Sequence, residues 1–232
     1  MLRTDSTFGR LVTMDIHYLG HSSFKIKSSV GTVVTDPFDS YVGFSMSTAS
    51  ADLVTVSHQH QDHNAVGQVK GTARRNKPFI VDKPGEYEVG GISVFGVPTF
   101  HDGSQGAERG SNIIYTTVMD GIKVCHLGDL GHELTQEQFA EIGSIDVLLV
   151  PVGGVFTIDP ARAVKTIHMF EPAYVIPMHY KTPEHVEEVF ADMATLDDFL
   201  KAYGSESKPV AKLTVEASRL PEETELVVLV QT

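Results

Sequence analysis

Residues 53–57, Leu-Val-Thr-Val-Ser, form a short apolar and β-branched run that passes without a break into His58-Gln59-His60-Gln61-Asp62-His63. A run of that length and composition reads as a strand buried on both faces. The six residues behind it therefore emerge at the end of a buried strand, carrying three imidazoles and a carboxylate. Any fold for this chain has to bring that segment to a sheet edge. A continuing strand would put His58, His60 and Asp62 on one face. Asn64 and Gly67 instead suggest that the backbone turns into a helix there. A turn lets His58 and His60 face one ion while Asp62 and His63 face another. A polar surface loop that merely holds three histidines is the plain alternative.

The rest of the first half reads as further short strands cut by Gly, Asp and Pro. Residues 15–19, 23–27 and 32–35 form a meander stopped at Asp36-Pro37, and 79–81, 92–97, 111–117 and 122–126 follow. Asp120-Gly121 is a strong two-residue hairpin turn between the last two. The second half brings helices. Thr135 to Gln138 has the form of a capping box opening a helix to about residue 141, and Asp159-Pro160 launches a helix over 161–170. Residues 145–150 and 174–176 are strands, the latter ended by Pro177. Residues 196–203 are helical, and 211–216 with 225–230 make a closing strand pair. Met14 begins the first strand-like stretch, so residues 1–13 are expected to be loosely held or to precede the true start. Residues 14–232 form a single domain, with two packed sheets flanked by helices as the natural layering.

Composition matters chiefly for what it excludes. The chain has 232 residues and a formal net charge of −12. Nucleic-acid binders draw most of their affinity from basic surfaces. Here only Arg74, Arg75 and Lys77 cluster, so an extended polyanion is a poor partner. No apolar stretch suits a membrane span, and the N-terminus has no signal-peptide core. Cys125 is the only cysteine, which excludes an intramolecular disulfide and fits the cytoplasm. The expected partner is a small molecule, and a homo-oligomer is left open.

Three more donors follow strands. His101 comes after residues 94–100, Asp129 after 122–126 within His126-Leu127-Gly128-Asp129, and His179 after Tyr174 and its neighbours. Each alone could be a loop or capping residue; their shared place at strand ends points to one site. Nitrogen and carboxylate donors suit zinc, iron or manganese.

His-x-His-x-Asp-His, then a post-strand histidine, a Gly-Asp and a late histidine, resembles the metallo-β-lactamase superfamily of metallohydrolases. The resemblance runs from Leu19-Gly20-His21-Ser22-Ser23-Phe24 and Asp36-Pro37-Phe38 through Pro177-Met178-His179-Tyr180. With Pro151-Val152-Gly153-Gly154, these motifs look like the branch of L-ascorbate-6-phosphate lactonase and uncharacterised zinc-dependent hydrolases. The resemblance implies an α/β fold, an αββα sandwich of two mixed sheets with helices outside and a binuclear centre at one edge. By motif position His58, His60 and His101 would bind one ion, Asp62, His63 and His179 the other, and Asp129 both. Zinc is the family's usual ion. The polar, Gly-rich loop after Asp102 and the lack of a long insertion near Met178-His179-Tyr180-Lys181 depart from better-known members.

Two such ions, roughly 3.5–4 Å apart, would provide hydroxide from a shared water and polarise a carbonyl or phosphoryl oxygen, with Asp62 and Asp129 as the acidic residues of the centre. The expected function is hydrolysis of a small ester, lactone or phosphoester, anionic or neutral. A phosphodiesterase or nuclease, a non-catalytic metal sensor and a structural metal domain are the alternatives. His21 and His126 are candidates for supporting a ligand or protonating the leaving group, or are packing histidines; His132 is a weaker one. Tyr180, Lys181 and Arg109 are candidates for touching substrate, Arg109 as an anion site.

Overall fold

A computed structural model describes residues 12–232. Most of the N-terminal segment expected to be loosely held lies outside the described residues, but Thr13 already pairs with Glu216 inside the first strand. The chain runs through β1 (Thr13–Gly20), β2 (Ser23–Lys27), β3 (Thr32–Thr35), β4 (Ala49–Ser50), β5 (Leu53–Thr55), β6 (Val69–Lys70), β7 (Phe79–Val81), β8 (Gly85–Val89), β9 (Ile92–Phe100), β10 (Ser111–Met119) and β11 (Ile122–His126). Next come α1 (Gln136–Ile142), β12 (Val147–Pro151), α2 (Pro160–Phe170), β13 (Tyr174–Met178), α3 (Glu187–Phe190), α4 (Leu196–Tyr203), β14 (Leu213–Glu216) and β15 (Glu225–Leu226).

Two sheets carry the fold, in the orders β14-β1-β2-β3-β5-β7 and β15-β13-β12-β11-β10-β9-β8. Their facing sides bury one core. In β1 the alternate residues Met14, Ile16 and Tyr18 point into it, the period-2 pattern of a strand with one face inward. β3 and β5 read differently. Val33 and Leu53 join the core between the sheets, while the neighbouring Val34 and Val54 join a second cluster on the outer face. Both faces are covered, which is why these runs are continuously apolar. Each such side chain contributes about 1.5–3 kcal/mol of burial.

The expected α/β sandwich of two mixed sheets is therefore present, with one asymmetry. α1 packs on β9, and α2 packs on β12 and α4, outside the second sheet. The outer face of the first sheet is covered instead by residues such as Phe38, Val42, Val69, Phe190 and Met193, from turns, the β4–β6 ribbon and the single turn of α3. Among the described residues no helix is long and apolar enough to cross a membrane.

Local signals explain most element ends. Thr135 and Gln138 form the reciprocal capping box, and Asp159 caps α2 with Pro160 in its first turn. Asp120 and Gly121 both have positive φ, 52° and 81°, the two-residue hairpin conformation that joins β10 to β11. Two expectations fail. Pro177 does not end its strand but sits inside β13, opposite Val150. The Val175 carbonyl accepts from Val227 toward β15, so Pro177, two residues on, turns its nitrogen to the same side, past the last paired residue of β15. No ladder hydrogen bond is lost there. Nor do the closing strands pair with each other: β14 extends the first sheet beside β1, and β15 the second beside β13.

Candidate metal centre

β9, β11 and β13 run in one direction through the second sheet, since β11, β12 and β13 are parallel and β10 is antiparallel to both β9 and β11. Their C-terminal ends deliver His101, Asp129 and His179 to one edge. β5 delivers His58 to His63 from the facing sheet. The helix expected after His63 is absent; the His63 N–H instead donates to the His60 carbonyl, and only a 3-10 turn follows at Val66–Gln68. That tight turn splits the segment. His58, His60 and His101 gather on one side, and Asp62, His63 and His179, with His21, on the other, each group with its donor atoms within 4.8 Å of one another.

Asp129 stands between the groups. Its Oδ2 lies 3.1 Å from His101 Nε2, 3.2 Å from both His63 and His179 Nε2, and 3.9 Å from His58 Nε2. Yet His58, His63 and His179 Nε2 and Asp129 Oδ1 are buried without a hydrogen-bond partner. Buried polar atoms are rarely left so, at about 1–3 kcal/mol each. Ligands of one four-coordinate ion, at bonds near 2.1 Å, stand roughly 3.3 Å apart. Buried, unpartnered nitrogen and oxygen atoms at that spacing fit metal coordination.

Hydrogen bonds behind the site set which nitrogen each ring presents. His63 Nδ1 donates to Asp36 Oδ2 at 2.9 Å, leaving Nε2 for the site. His58 Nδ1 lies 2.9 Å from Ser57 Oγ, whose own proton goes to Asp36. Asp36 thus orients one imidazole of each group. The proximity of Asp36, His58 and His63 is consequently support rather than a third metal group, because both Asp36 oxygens are already taken. Burial opposes a charged Asp36, but His126 and the bonded His63 hold its carboxyl below the usual range. Burial likewise opposes a charged Asp129, which His179 and His63 hold well below that range.

The other predicted site residues divide. His21 is buried, and its Nε2 lies 3.2 Å from Asp62 Oδ2. Burial, followed by the neighbouring His179, pushes it down to about 3. His126 has both nitrogens committed to backbone, Nε2 donating to the Ser22 carbonyl at 2.7 Å and Nδ1 accepting from Gly128 N–H at 3.1 Å. It shapes the Gly128-Asp129 turn and has no proton free for a leaving group. His132 is bound to backbone in the same way, at Phe100 and Glu133.

A cavity of about 280 Å³ opens over the cluster, lined by His60, Asp62, His101, Asp129, Arg109, Tyr41, Phe156 and Phe190 among others. Arg109 lines this cavity, its guanidinium 5.6 Å from the Phe156 ring centroid and 3.9 Å from Glu108 Oε2. The loop holding it is clasped by Asp102, whose carboxylate accepts from the N–H groups of Ser104, Gly106, Glu108 and Arg109 at 2.7–3.0 Å. Those backbone bonds hold Asp102 down to about 2. Tyr180 and Lys181 do not line this cavity. His179 adopts a positive φ of 52°, and beyond it the chain turns away. Tyr180 packs near Tyr18, and Lys181 bonds Glu187 and the Ala191 carbonyl.

The Beta-lactamase superfamily domain matches residues 15–179. A UPF0173 metal-dependent hydrolase of Thermococcus onnurineus is 31% identical over 209 residues, covering 77% of this chain and 93% of that protein. Another, from Pyrococcus furiosus, is 31% identical over 223 residues, 84% of this chain and 94% of the relative. Among solved structures, a protein of Thermotoga maritima assigned to the Zn-dependent hydrolases of the metallo-β-lactamase superfamily superposes with a TM-score of 0.74 at 40% identity, covering 93% of this chain and 98% of that one. Igni18, a metallo hydrolase of Ignicoccus hospitalis, shares the fold at 21% identity and a TM-score of 0.64, covering 88% and 99%.

Proposed function

Because this chain belongs to the metallo-β-lactamase superfamily, we propose that it is a binuclear metal-dependent hydrolase of small esters, lactones or phosphoesters. The observation that carries the reading is the set of buried, unpartnered lone pairs on His58, His63, His179 and Asp129. In this reading His58, His60 and His101 hold one ion, Asp62, His63 and His179 the other, and Asp129 touches both. Zinc suits these donors, as do manganese and iron. When bound, such ions supply an activated water at neutral pH and a Lewis acid for the oxygen that gains charge.

The chain's own residues do the rest. Asp36 and Ser57 keep the His58 and His63 rings turned so that Nε2 faces the site. Asp129, between the two groups, would orient the water that such ions activate. Arg109 offers a cation beside the centre, and Phe156, Phe190 and Tyr41 give the cavity an apolar wall. Its volume of about 280 Å³ suits a small molecule with an anionic group, at the lower end of typical ligand pockets. Cys125, buried and pushed up to about 12 by that burial, has no second cysteine to oxidise with, which accords with the reducing cytoplasm as its location.

Elemental analysis of reconstituted protein, paired with a panel of esters, lactones and phosphoesters, tests this. Two metal equivalents and turnover that fall together in Asp129→Asn are expected. Full retention of both in that variant would refute the shared role of Asp129, and a single equivalent in the parent protein would refute the binuclear reading.

A further inference from the structure

Two buried histidines beside the centre are not among the seven ligand candidates. His185 and His21 are separated by 164 residues in sequence but meet at 3.2 Å, His185 Nε2 to His21 Nδ1. His185 Nδ1 lies 3.1 Å from the Thr182 backbone N–H and 2.9 Å from its hydroxyl. At the other end, His21 Nε2 lies 3.2 Å from Asp62 Oδ2.

The order of protons along this chain follows from one fact: a backbone amide only donates. His185 Nδ1 must therefore present a lone pair to Thr182. A neutral imidazole carries one N–H, so His185 has it on Nε2 and donates it to His21 Nδ1. His21 Nδ1 is then an acceptor, and its single proton sits on Nε2, directed at Asp62. The surroundings keep the rings in place. His185 is wedged against Phe44 and Phe190, each with ring centroids 5.1 Å away. The His21 carbonyl accepts from both the Tyr18 hydroxyl, at 2.8 Å, and the His179 N–H, at 2.9 Å. Those bonds hold His21 at a positive φ of 53°, a conformation that a residue with a Cβ adopts only under strain.

We propose that His185 and His21 are positioning residues that fix the Asp62 carboxylate from behind, and so set the affinity of one ion and not the other. His21 Nε2 lies close enough to Asp62, His63 and His179 to pass for a fourth ligand. Its proton rules that out; it is a donor to a ligand. The ion concerned is the one assigned to Asp62, His63 and His179. The His58, His60 and His101 group receives no bond from this chain. The inference rests on the two-ion reading, and its test separates the two.

Metal-stripped protein is titrated with Zn²⁺ and with Co²⁺, and the zinc-loaded parent protein is examined by ¹⁵N NMR of its histidines. His185→Ala and His21→Ala are expected to weaken one equivalent by about 10–100-fold and to leave the other within about twofold. His185→Gln keeps an amide donor to His21 and should recover most of the loss. The NMR needs no variant and should report both His21 and His185 as the Nε2–H tautomer. Equal weakening of both equivalents, no weakening, or His21 protonated on Nδ1 would each overturn the proposal. A parent protein that binds one ion would defeat the two-ion reading, and with it the selectivity claim, while the tautomers would still decide the positioning of Asp62.

Discussion

Asp36→Asn tests whether support behind the ligands, rather than the ligands alone, makes the centre. Asp36 is fully buried and accepts from three donors: the Ser57 N–H at 2.8 Å on Oδ1, and the Ser57 hydroxyl and His63 Nδ1–H on Oδ2. Asparagine has the same shape but replaces one oxygen with NH₂. If the NH₂ takes the Oδ1 place, it faces the Ser57 N–H, donor against donor. If it takes the Oδ2 place, it faces His63 Nδ1–H, and His63 is relieved only by moving its proton to Nε2, the nitrogen needed for metal. One unsatisfied buried donor costs about 1–3 kcal/mol, and the remaining bonds lose their charge assistance at about 1 kcal/mol each. Relief of carboxylate burial offsets part of this, leaving a net loss of about 2–4 kcal/mol. Urea unfolding of the metal-free variant measures that loss. Metal affinity should fall about 10–100-fold at both ions, since His58 and His63 both depend on Asp36. The pH dependence has a definite sign. Asp36 lies below the ordinary carboxylate range when folded, so its stabilisation is complete above about pH 4 and drains away as pH falls through its folded value. The acid limb of stability should therefore be shallower in the variant. Unchanged urea midpoint and unchanged affinity for both equivalents would refute the reasoning.

Three other outcomes follow from the same geometry. Gly128→Ala would drive a Cβ into Asn112 Oδ1 and place it 2.6 Å from Ser57 Cβ, at a φ of 55°. Because Asn112 Oδ1 holds the Asp129 N–H, a loss of at least about 2 kcal/mol by thermal melting should accompany loss of metal. Asp102→Asn should free the loop that carries Arg109, read as faster amide exchange at Gly106, Glu108 and Arg109 with metal content retained. In the parent, Asp102 is held down to about 2, so that protection should persist down to about pH 4 and be lost between there and pH 2. Arg109→Ala should raise KM about 10–100-fold for anionic members of a substrate panel, with metal stoichiometry unchanged and neutral esters little affected. Equal effects on charged and neutral esters would remove Arg109 from anion recognition.

Much of the fold was legible because its signals are local. β-branched runs located β3, β5 and β7, and the capping residues Thr135 and Asp159 located α1 and α2. The gathering of His58, His60, Asp62, His63, His101, Asp129 and His179 could be anticipated because each follows a strand, and strand ends collect at sheet edges. What stayed hidden depends on partners distant in sequence. β8, Gly-Glu-Tyr-Glu-Val, alternates Tyr87 and Val89 with Glu86 and Glu88, but it is a short, largely exposed edge strand whose weak signal shows only once it pairs with β9. Asp36 lies in Thr-Asp-Pro, which reads as a turn; its partners Ser57 and His63 are 21 and 27 residues on. His185, in Thr-Pro-Glu-His, has no ligand spacing at all. Tyr180 and Lys181 show that adjacency in sequence to His179 is not adjacency to the cavity, because the left-handed backbone at His179 turns the chain away.

Distance alone would also misjudge the ligands, because His21 and Asp36 fall within the same clusters as the residues they support. Accounting for ring nitrogens separates three of the ligand candidates, His58, His63 and His179, from the supporting histidines. His126, His132, His185 and His21 have both nitrogens engaged by protein groups. His58 and His63 have Nδ1 engaged and Nε2 buried without a partner, and His179 has neither nitrogen engaged. A histidine satisfied at both edges gains little from an ion, whereas one left with a buried unpartnered nitrogen recovers part of its desolvation cost by binding one. That difference puts Asp36 and the His185–His21 chain behind the ligands rather than among them. On the proposed two-ion reading it also requires Asp36→Asn to weaken both ions and His185→Ala only one.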